Sequence, residues 1–471
     1  MSDTTTPAAT VPTPVAEPVP TPLARSGALE VTAHLLAALL IGSVAPVLVR
    51  LTSPAYDFGV VPGGFELVEI APQLVAVVSL GLALLVRALR AGWLRDIGWI
   101  VAAVGLGGLA GLYAQGTTLD GLTLTILLVV VISLQIVGLL LAFARAGGPA
   151  RWAVATGLAA GVAGGREALA LVVSAVRSGP LQGSLHGDDI VLGAAALLVA
   201  VAGFVVLVLS RGERAYPDPA ESFPSAWWSH VRWPLVAVVV SSVIAVVLTR
   251  VWNARIDDIA QSFIGGISES DARSVQSTDQ VYRVLTALVI TALLVAAAQL
   301  WGGANVVRWV LVAFGTGVLL VGLEGFLAPE ATWLSALLGV AGVVAGVLAV
   351  RYADRVMPWD AVGLLLATGL LLDFAGAGLV GAFGLGLAVT AGVLRLAPAR
   401  LDGASRRLGP GGVTVAAALG LAAWVLVHQV VVPSASFYRA DLGGVPILPY
   451  GVGVAAVAGI GFFLIDRKRP N

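Results

Sequence analysis

Long apolar runs recur along almost the whole chain, and short polar segments separate them. Each run is close to the roughly 20 residues that an α-helix needs to cross a bilayer. We therefore predict an all-α polytopic membrane protein with about 14 transmembrane helices. The candidate spans are residues 28–50, 67–86, 96–114, 122–144, 152–176, 189–210, 234–252, 283–301, 306–326, 332–350, 359–373, 377–394, 411–432 and 449–465.

One pair of these spans admits two interpretations. Residues 359–394 are few for two crossings, and a glycine-rich turn near residues 373–376 has to join them. If they form a single tilted or broken helix instead, the chain has thirteen spans and its C-terminus changes side.

The composition supports a membrane protein and excludes several kinds of site. Hydrophobic residues make up 58% of the chain and charged residues 11%, against about 25% charged in soluble domains. The net charge is zero, so no basic excess points to nucleic acid. Cysteine is absent and histidine occurs only four times, which argues against thiolate and histidine metal sites. With no nucleotide-binding loop and no Ser/His/Asp set, we predict a protein that is not an enzyme and uses no cofactor or nucleotide.

The arginine positions predict the orientation, because positively charged loops stay in the cytoplasm. With the N-terminus inside, the inner segments hold 19 basic residues and the outer segments hold 7. We therefore predict a multi-pass protein of the inner or plasma membrane with both termini cytoplasmic. Residues 1–26 are rich in Pro and Thr and predict a disordered tail, and residues 467–471 form a basic tail.

A short charged hinge lies between two long apolar runs. It reads A-D-R-V-M-P-W-D over residues 353–360, directly after Arg351 and Tyr352, and includes Asp354 and Arg355. Charges at the membrane surface can contact helix ends and form a conformational latch. They can equally serve only to hold a loop in the cytoplasm, and the residues alone leave both readings open.

The order of these features resembles the major facilitator superfamily, in particular its fourteen-span branch of drug:proton antiporters. The hinge lies where that family carries G-x-x-x-D-R-x-G-R-R, and Asp354 and Arg355 match the D-R core. In V-I-S-L-Q-I-V-G, Gln135 matches the glutamine of a fourth-span R-x-x-Q-G pattern, although the arginine is missing. The stretch G-L-A-A-G-V-A-G-G, residues 157–165, matches the glycines of a fifth-span pattern but not its proline.

The resemblance implies a division of the chain and a gate. Two six-helix bundles are expected at residues 27–210 and 303–466, with a linker and two inserted helices at residues 211–302 between them. The hinge residues Arg351, Asp354 and Arg355 would form a cytoplasmic gate motif in that arrangement.

Few polar side chains lie inside the predicted spans. Each needs a partner or a hydrated cavity, because a charge in the bilayer core costs about 2.5 kcal/mol or more. Arg166 and Glu167 are neighbours near the middle of span five, where they are either ligands for substrate or proton, or part of a buried ion pair. Gln135, Glu324 and His428 are further candidates, with an interhelical hydrogen bond, a headgroup contact and a backbone hydrogen bond as their respective structural alternatives.

These features predict a secondary active transporter that works by alternating access. Because the spans carry so few charges, its cargo is expected to be a small amphipathic or hydrophobic compound, or a lipid, which it exports or flips. Its expected partners are membrane lipids, that cargo and protons. A non-transporting membrane protein that scaffolds envelope assembly is the alternative. A lipid-linked glycosyltransferase is a third reading, for which Asp57 and Glu66 are the available acids.

Overall fold

A computed structural model describes the protein over residues 27–50, 67–88, 97–115, 119–146, 148–165, 168–169, 171–172, 187–210, 225–262, 269–323, 332–353, 357–371, 376–396, 415–427, 430–431 and 448–466. These residues are helical almost throughout, and no strand occurs among them. The helices of the first part are α1 (Ala28–Arg50), α2 (Leu67–Ala88), α3 (Gly98–Gln115), α4 (Gly121–Arg145), α5 (Gly148–Ala160), α6 (Gly187–Ser210) and α7 (Ser225–Ser262). Those of the second part are α8 (Glu269–Trp301), α9 (Ala304–Leu323), α10 (Thr332–Tyr352), α11 (Trp359–Ala367), α12 (Ala377–Leu394), α13 (Val415–Val427) and α14 (Leu448–Asp466).

Helices α7 and α8 extend well beyond the apolar runs that predict them. The predicted spans end at residue 252 and resume at residue 283, whereas the structure continues α7 to Ser262 and begins α8 at Glu269. No proline interrupts this stretch, and its only glycines are Gly265 and Gly266, between the two helices. Hydropathy limits the length of a membrane crossing, but a helix can extend past the apolar run where no glycine or proline disfavours it.

Residues 359–394 form two antiparallel helices rather than one broken helix. α11 continues as a short 3₁₀ segment, Thr368–Leu371, and α12 runs back along it. A side chain added at Gly381 would lie against Leu370, and one added at Gly363 would lie against Ala388, so contact positions move in opposite directions along the two helices. Glycines allow this backbone-to-backbone approach.

Six helices among the described residues are long and apolar enough to cross a membrane. They include the apolar parts of α4, α6, α7, α8, α10 and α12. Six shorter apolar helices accompany them, in α1, α2, α3, α9, α11 and α13. The protein is therefore a polytopic membrane protein, and a count of fourteen crossings remains a prediction.

The first six and the last six helices repeat the same packing order. We call α1–α6 the N-terminal group and α9–α14 the C-terminal group. Within the former, α2 and α3 pack on α4, while α1 and α3 pack on α6. The corresponding pairs of the latter also touch: α10 and α11 pack on α12, while α9 and α11 pack on α14. Repeated helix order of this kind is typical of transporters built from internal repeats.

Helices α7 and α8 pack against each other and connect the two groups. α7 contacts α2 of the N-terminal group, and α8 contacts α9 and α14 of the C-terminal group. Between them the rings of Trp252 and Tyr282 stack at 3.9 Å, and Trp252 Nε1 donates to Thr286 Oγ1 at 3.0 Å. On α8, the buried Arg283 binds Asp279 and donates to the carbonyl of Val430, close to the end of α13.

Glycines bring α5 into backbone contact with both groups. α5 ends in a π-helical turn, Gly161–Gly165, a feature frequent at functional sites. A side chain at Gly161 would overlap the backbone of α1 at Gly42, 2.7 Å away, and one at Gly164 would lie 2.6 Å from the carbonyl oxygen of Ala336 in α10. On the facing surface, Gly339 of α10 meets the backbone of α5 in the same way. Glycine spacing thus sets the closest approach between the N-terminal and C-terminal groups.

Candidate functional site

A cavity of about 80 Å³ lies between the two helix groups. The N-terminal group lines it with residues of α1, α2, α4 and α5, and the C-terminal group with residues of α9, α12 and α13. We call it the central cavity. Representative lining residues are Val75, Gln135, Leu158, Trp309, Thr316 and Trp424. Since both groups contribute to its wall, any motion of one group against the other changes its shape.

Gln135 contributes to the wall of the central cavity a polar side chain that makes no hydrogen bond to the described residues. It lies on α4 and is 1% exposed, and neither its Oε1 nor its Nε2 has a hydrogen-bond partner among the described residues. Gly105 of α3 makes room for its stem, since a side chain there would lie 2.7 Å from Gln135 Cγ. An unsatisfied buried amide costs about 1–3 kcal/mol. A group that fills the cavity without pairing with Gln135 leaves this amide unsatisfied, whereas a group that pairs with it avoids that cost.

Two other polar side chains of the wall, Thr316 and Trp309, have partners in the protein. The hydroxyl of Thr316 donates to the carbonyl of Val312 at 2.7 Å, and Trp309 Nε1 lies 3.4 Å from the carbonyl oxygen of Ala417. The residues that line the cavity in the described part of the chain carry no charge. The central cavity is therefore a largely apolar chamber that contains the amide of Gln135.

A second cavity of about 20 Å³ lies next to the central cavity, between the same two groups. It is displaced towards the end of the molecule where α1, α3, α9 and α11 begin and α4 and α12 end, which we call the basic end. Both cavities share the side chains of Leu139, Leu158, Trp309 and Leu421. These four residues, two from each group, form an apolar barrier between the central cavity and the basic end.

Trp309 is held in this barrier by a glycine. A side chain added at Gly420 of α13 would overlap Trp309, reaching within 2.5 Å of its Cδ1 and Cε2 atoms. The indole therefore lies flat on the α13 backbone at the one place where no side chain intervenes.

Replacing Gly420 by alanine is expected to push Trp309 out of the barrier and to weaken the seal. Overpacking of this kind costs about 1–3 kcal/mol, which favours the open barrier by about 5- to 150-fold. The measurement is the rate at which a water-soluble maleimide, added on the side of the basic end, labels a Thr316→Cys variant of this cysteine-free chain. Gly459→Ala is the control, because an added side chain there meets nothing within 4 Å. Equal labelling in both variants would contradict the assignment of Trp309 to the barrier.

An ion-pair cluster of Arg308, Asp360 and Arg395 joins three helices at the basic end. Arg308 on α9 donates two hydrogen bonds to the carboxylate of Asp360, the second residue of α11. The bond from Nε to Oδ2 is 2.6 Å long. Arg395, directly after α12, places Nη2 3.5 Å from Oδ1 of the same carboxylate. The three side chains are 1%, 0% and 3% exposed. A carboxylate shared by two buried arginines fixes α9, α11 and α12 relative to one another.

The N-terminal group has a neutral contact near the same end. Trp99, the second residue of α3, donates from Nε1 to Nδ1 of His34 on α1 at 2.9 Å. The two rings meet edge to face with centroids 5.9 Å apart. His34 is 1% exposed and Trp99 is 2% exposed. This hydrogen bond joins α1 to α3 without any net charge.

Only part of the candidate set from the sequence lies in the described residues. Gln135 lines the central cavity, as a substrate contact requires. Arg351 is exposed at the end of α10, with its guanidinium 5.4 Å from the centroid of the Tyr352 ring. The remaining candidates lie outside the described residues and stay predictions: Arg166, Glu167, Glu324, Asp354, Arg355 and His428.

The apolar barrier, the ion-pair cluster and the His34–Trp99 hydrogen bond were not predicted from the sequence. It treats Arg308 and Arg395 only as loop charges that set orientation, and Asp360 only as the last letter of the hinge. A signal was present, because each of the three lies within two turns of an end of an apolar run. Polar side chains there can reach one another at a common membrane surface. Trp309 offered no comparable signal, since a tryptophan near a helix end also suits the headgroup layer.

Comparison with known proteins gives a result at the level of the fold. No protein-family model matches the sequence, and no curated protein matches it either. The structure of the xylose transporter XylE from E. coli in a partially occluded inward open conformation has a TM-score of 0.51 at 14% identity, over 94% of this chain and 99% of that one. A structure of the major facilitator superfamily proton:xylose symporter XylE bound to 6-bromo-6-deoxy-D-glucose has a TM-score of 0.52 at 12% identity, over 94% and 95% of the two chains. The chain therefore has the major facilitator fold over nearly its whole length.

Proposed function

We propose that this protein is a secondary membrane transporter that works by alternating access between its N-terminal and C-terminal groups. The central cavity carries this proposal, because both groups form its wall and the Gln135 amide in it has no hydrogen-bond partner among the described residues. The fold, shared with solved sugar transporters, and the repeated packing order support it. A scaffold protein has no need of a chamber at the contact between two repeats.

The two groups correspond to the bundles expected at residues 27–210 and 303–466, with α7 and α8 as the inserted pair in residues 211–302. The apolar barrier would close the chamber towards the basic end. Glycine contacts between α5 and α10 would close it on the other side, since they lie at Gly164 and Gly339, away from the basic end. The arginine distribution assigns the basic end to the cytoplasm, which would place both termini there.

The wall chemistry supports a small, uncharged or amphipathic cargo. An apolar wall gives favourable burial to hydrocarbon or ring surface, at about 25 cal/mol per Å². Gln135 can donate from Nε2 and accept at Oε1, so it suits a cargo with one adjacent donor and acceptor. Export or flipping of such a compound, or of a lipid, follows the same chemistry. Membership of the fourteen-span drug:proton branch is part of this proposal, and Arg166 and Glu167, which follow the π-helical turn in sequence, are its candidates for proton coupling.

Replacing Gln135 by leucine is expected to weaken cargo binding by about ten- to a hundredfold. The polar group of the cargo then has no hydrogen-bond partner in the cavity, and a buried uncharged polar group without a partner costs roughly 1–3 kcal/mol. Binding is measured as the shift in thermal unfolding midpoint produced by a panel of uncharged amphipathic dyes and a short-chain fluorescent phospholipid. Dyes that stabilise the parent protein are then followed in proteoliposomes.

Ser133→Ala is the matched control. Ser133 lies on the same helix, is 1% exposed and also lacks a partner among the described residues, but it does not line the central cavity. Its replacement should leave binding and flux unchanged. If Gln135→Leu and Ser133→Ala behave alike, Gln135 takes no part in binding. If no probe is bound or moved at any concentration, the proposed cargo class is wrong.

A further inference from the structure

The ion-pair cluster has a counterpart at matching positions in the N-terminal group. His34 lies in the second turn of α1, as Arg308 does in α9. Trp99 is the second residue of α3, as Asp360 is of α11. Arg145 ends α4, and Arg395 directly follows α12. Each group thus joins its first and third helices at the basic end beside an arginine, but one joint is ionic and the other is neutral.

The hydrogen bond fixes the protonation state of His34. An indole N–H is a donor only, so Nδ1 of the imidazole must present its lone pair, and the ring is neutral with its proton on Nε2. Nε2 lies 3.9 Å from Oε1 of Glu30, one turn earlier on α1. His34 is therefore the acceptor on which the joint between α1 and α3 depends.

A second proton on the His34 ring can bind only at Nδ1, where it breaks the hydrogen bond from Trp99 that joins α1 to α3. Both ring nitrogens then donate, so the Trp99 N–H faces another donor and loses its acceptor. A buried imidazolium and a buried, unpaired indole N–H are each unfavourable. The protonated form is consequently stable only where Trp99 has moved away and water or Glu30 solvates the ring.

Charged residues near His34 determine how strongly the protonated form of its ring is favoured or opposed. Glu30, on the same helix, favours the imidazolium, whereas Arg145 of α4 opposes it electrostatically. From α5, the guanidinium of Arg151 is directed at the carbonyl oxygen of Ala146, 2.9 Å away. No charged residue occurs in α3 from 98 to 115 or in α6 from 190 to 209.

We propose that His34 is a proton-binding site whose occupation separates α1 from α3 at the basic end. The proposal rests on the alternating-access function and assigns its control to the proton concentration on that side. Since the joined conformation requires neutral His34, the proton binds preferentially to the separated one. By linkage, lowering the pH shifts the population towards the separated conformation. In the C-terminal group the corresponding contact pairs the carboxylate of Asp360 with Arg308, and no histidine takes part in it.

Trp99 is placed to pass this change to the barrier. A side chain added at Gly203 of α6 would lie 2.8 Å from Trp99 Cβ, and one added at Gly98 would lie 2.6 Å from the backbone nitrogen of Ala142. The start of α3 is therefore packed directly on the last turns of α4. Those turns carry Leu139, one of the four barrier residues.

Spin labels at Leu29→Cys and Tyr352→Cys test the proposal in the otherwise cysteine-free chain. These residues are 61% and 74% exposed and lie at the basic end of α1 and α10. Double electron–electron resonance in nanodiscs, from pH 8 to pH 5, is expected to show two distance populations whose ratio changes by about fivefold or more. In parallel, ¹⁵N-histidine spectra, in which His34→Gln identifies one of only four signals, should show the Nε2-protonated neutral ring at pH 8.

Two variants are expected to hold the protein in the joined and in the separated conformation, respectively. His34→Gln keeps an oxygen acceptor for Trp99 and cannot titrate, so it should retain the pH 8 distribution at every pH. Trp99→Phe keeps an aromatic side chain but lacks the N–H donor, so it should show the pH 5 distribution throughout. A pH response that persists in His34→Gln, or a parent protein with a pH-independent ratio, would overturn the proposal. If the distances respond as expected while Gln135→Leu leaves cargo binding unchanged, the proton site stands and the cargo assignment fails.

Discussion

Replacing Asp360 by asparagine is expected to destabilise the folded protein by about 3–5 kcal/mol, because the substitution leaves two buried arginines around a neutral amide. Arg308 makes both of its hydrogen bonds in the cluster to this carboxylate, and Arg395 lies 3.5 Å from it. The aromatic ring of Phe462, 5.4 Å from the Arg308 guanidinium, offers only a partial substitute. The effect is measured as the shift in denaturation midpoint in detergent.

Two further variants make this measurement specific. Asp120→Asn is the control, since Asp120 is exposed and caps α4 by accepting from the Thr123 amide at 3.1 Å. Hydrogen bonds from Thr123 lower the pKa of Asp120, yet asparagine caps a helix about as well as aspartate, so the change should be small. Adding Arg395→Leu to Asp360→Asn removes one of the two buried charges that faced the lost carboxylate and should recover part of the loss. A double variant less stable than Asp360→Asn would show that the other contacts of Arg395 contribute more than this relief.

Replacing Gly339 by alanine is expected to force α5 and α10 apart. The added methyl group would overlap the backbone of Ala163, whose carbonyl carbon is 2.7 Å away, and approach the Gly164 nitrogen at 3.2 Å. Backbone atoms in a helix cannot rotate out of the way as a side chain can. The conformation in which the two groups touch there should lose about 1–3 kcal/mol, which is roughly a 5- to 150-fold change in population.

This shift is read from spin labels at Leu122→Cys and Trp333→Cys, at the end opposite the basic end. Both side chains are exposed, at 55% and 62%. The longer distance should gain population in Gly339→Ala, while Gly111→Ala, where an added side chain meets nothing within 4 Å, should match the parent. If Gly339→Ala unfolds the protein without any change in the distances of the folded fraction, the contact is a static part of the core.

The helical architecture and its general arrangement were predictable from the sequence for a physical reason. A bilayer imposes one length on every crossing, so apolar runs reveal most helices directly, and the resemblance predicted the fold that comparison confirms. Helix ends outside the apolar layer were less predictable. The polar turns of α7 and α8 look like loops by hydropathy, although no glycine or proline interrupts them.

The site was predictable only where a residue is unusual for its surroundings. Gln135 stands out as an amide in an apolar run, and the structure places it in the central cavity. Its openness could not be foreseen, because an interhelical hydrogen bond was the ordinary expectation. The pairing of Arg308 with Asp360 spans 52 residues, and the tilt of Trp309 onto Gly420 depends on how α9 and α13 cross. Such contacts are properties of the assembled helices rather than of any segment.

The Gln135 amide also has a consequence for selectivity. A space of about 80 Å³ holds several water molecules, and water next to Gln135 would satisfy its amide in the empty chamber. A pure hydrocarbon that displaces this water leaves the amide dry, whereas a lactam or carboxamide of the same size replaces the lost hydrogen bonds. Sites that bury a polar group discriminate most strongly against ligands that lack its complement. Among compounds of similar size, the central cavity should therefore bind a pure hydrocarbon more weakly than one whose polar group pairs with Gln135.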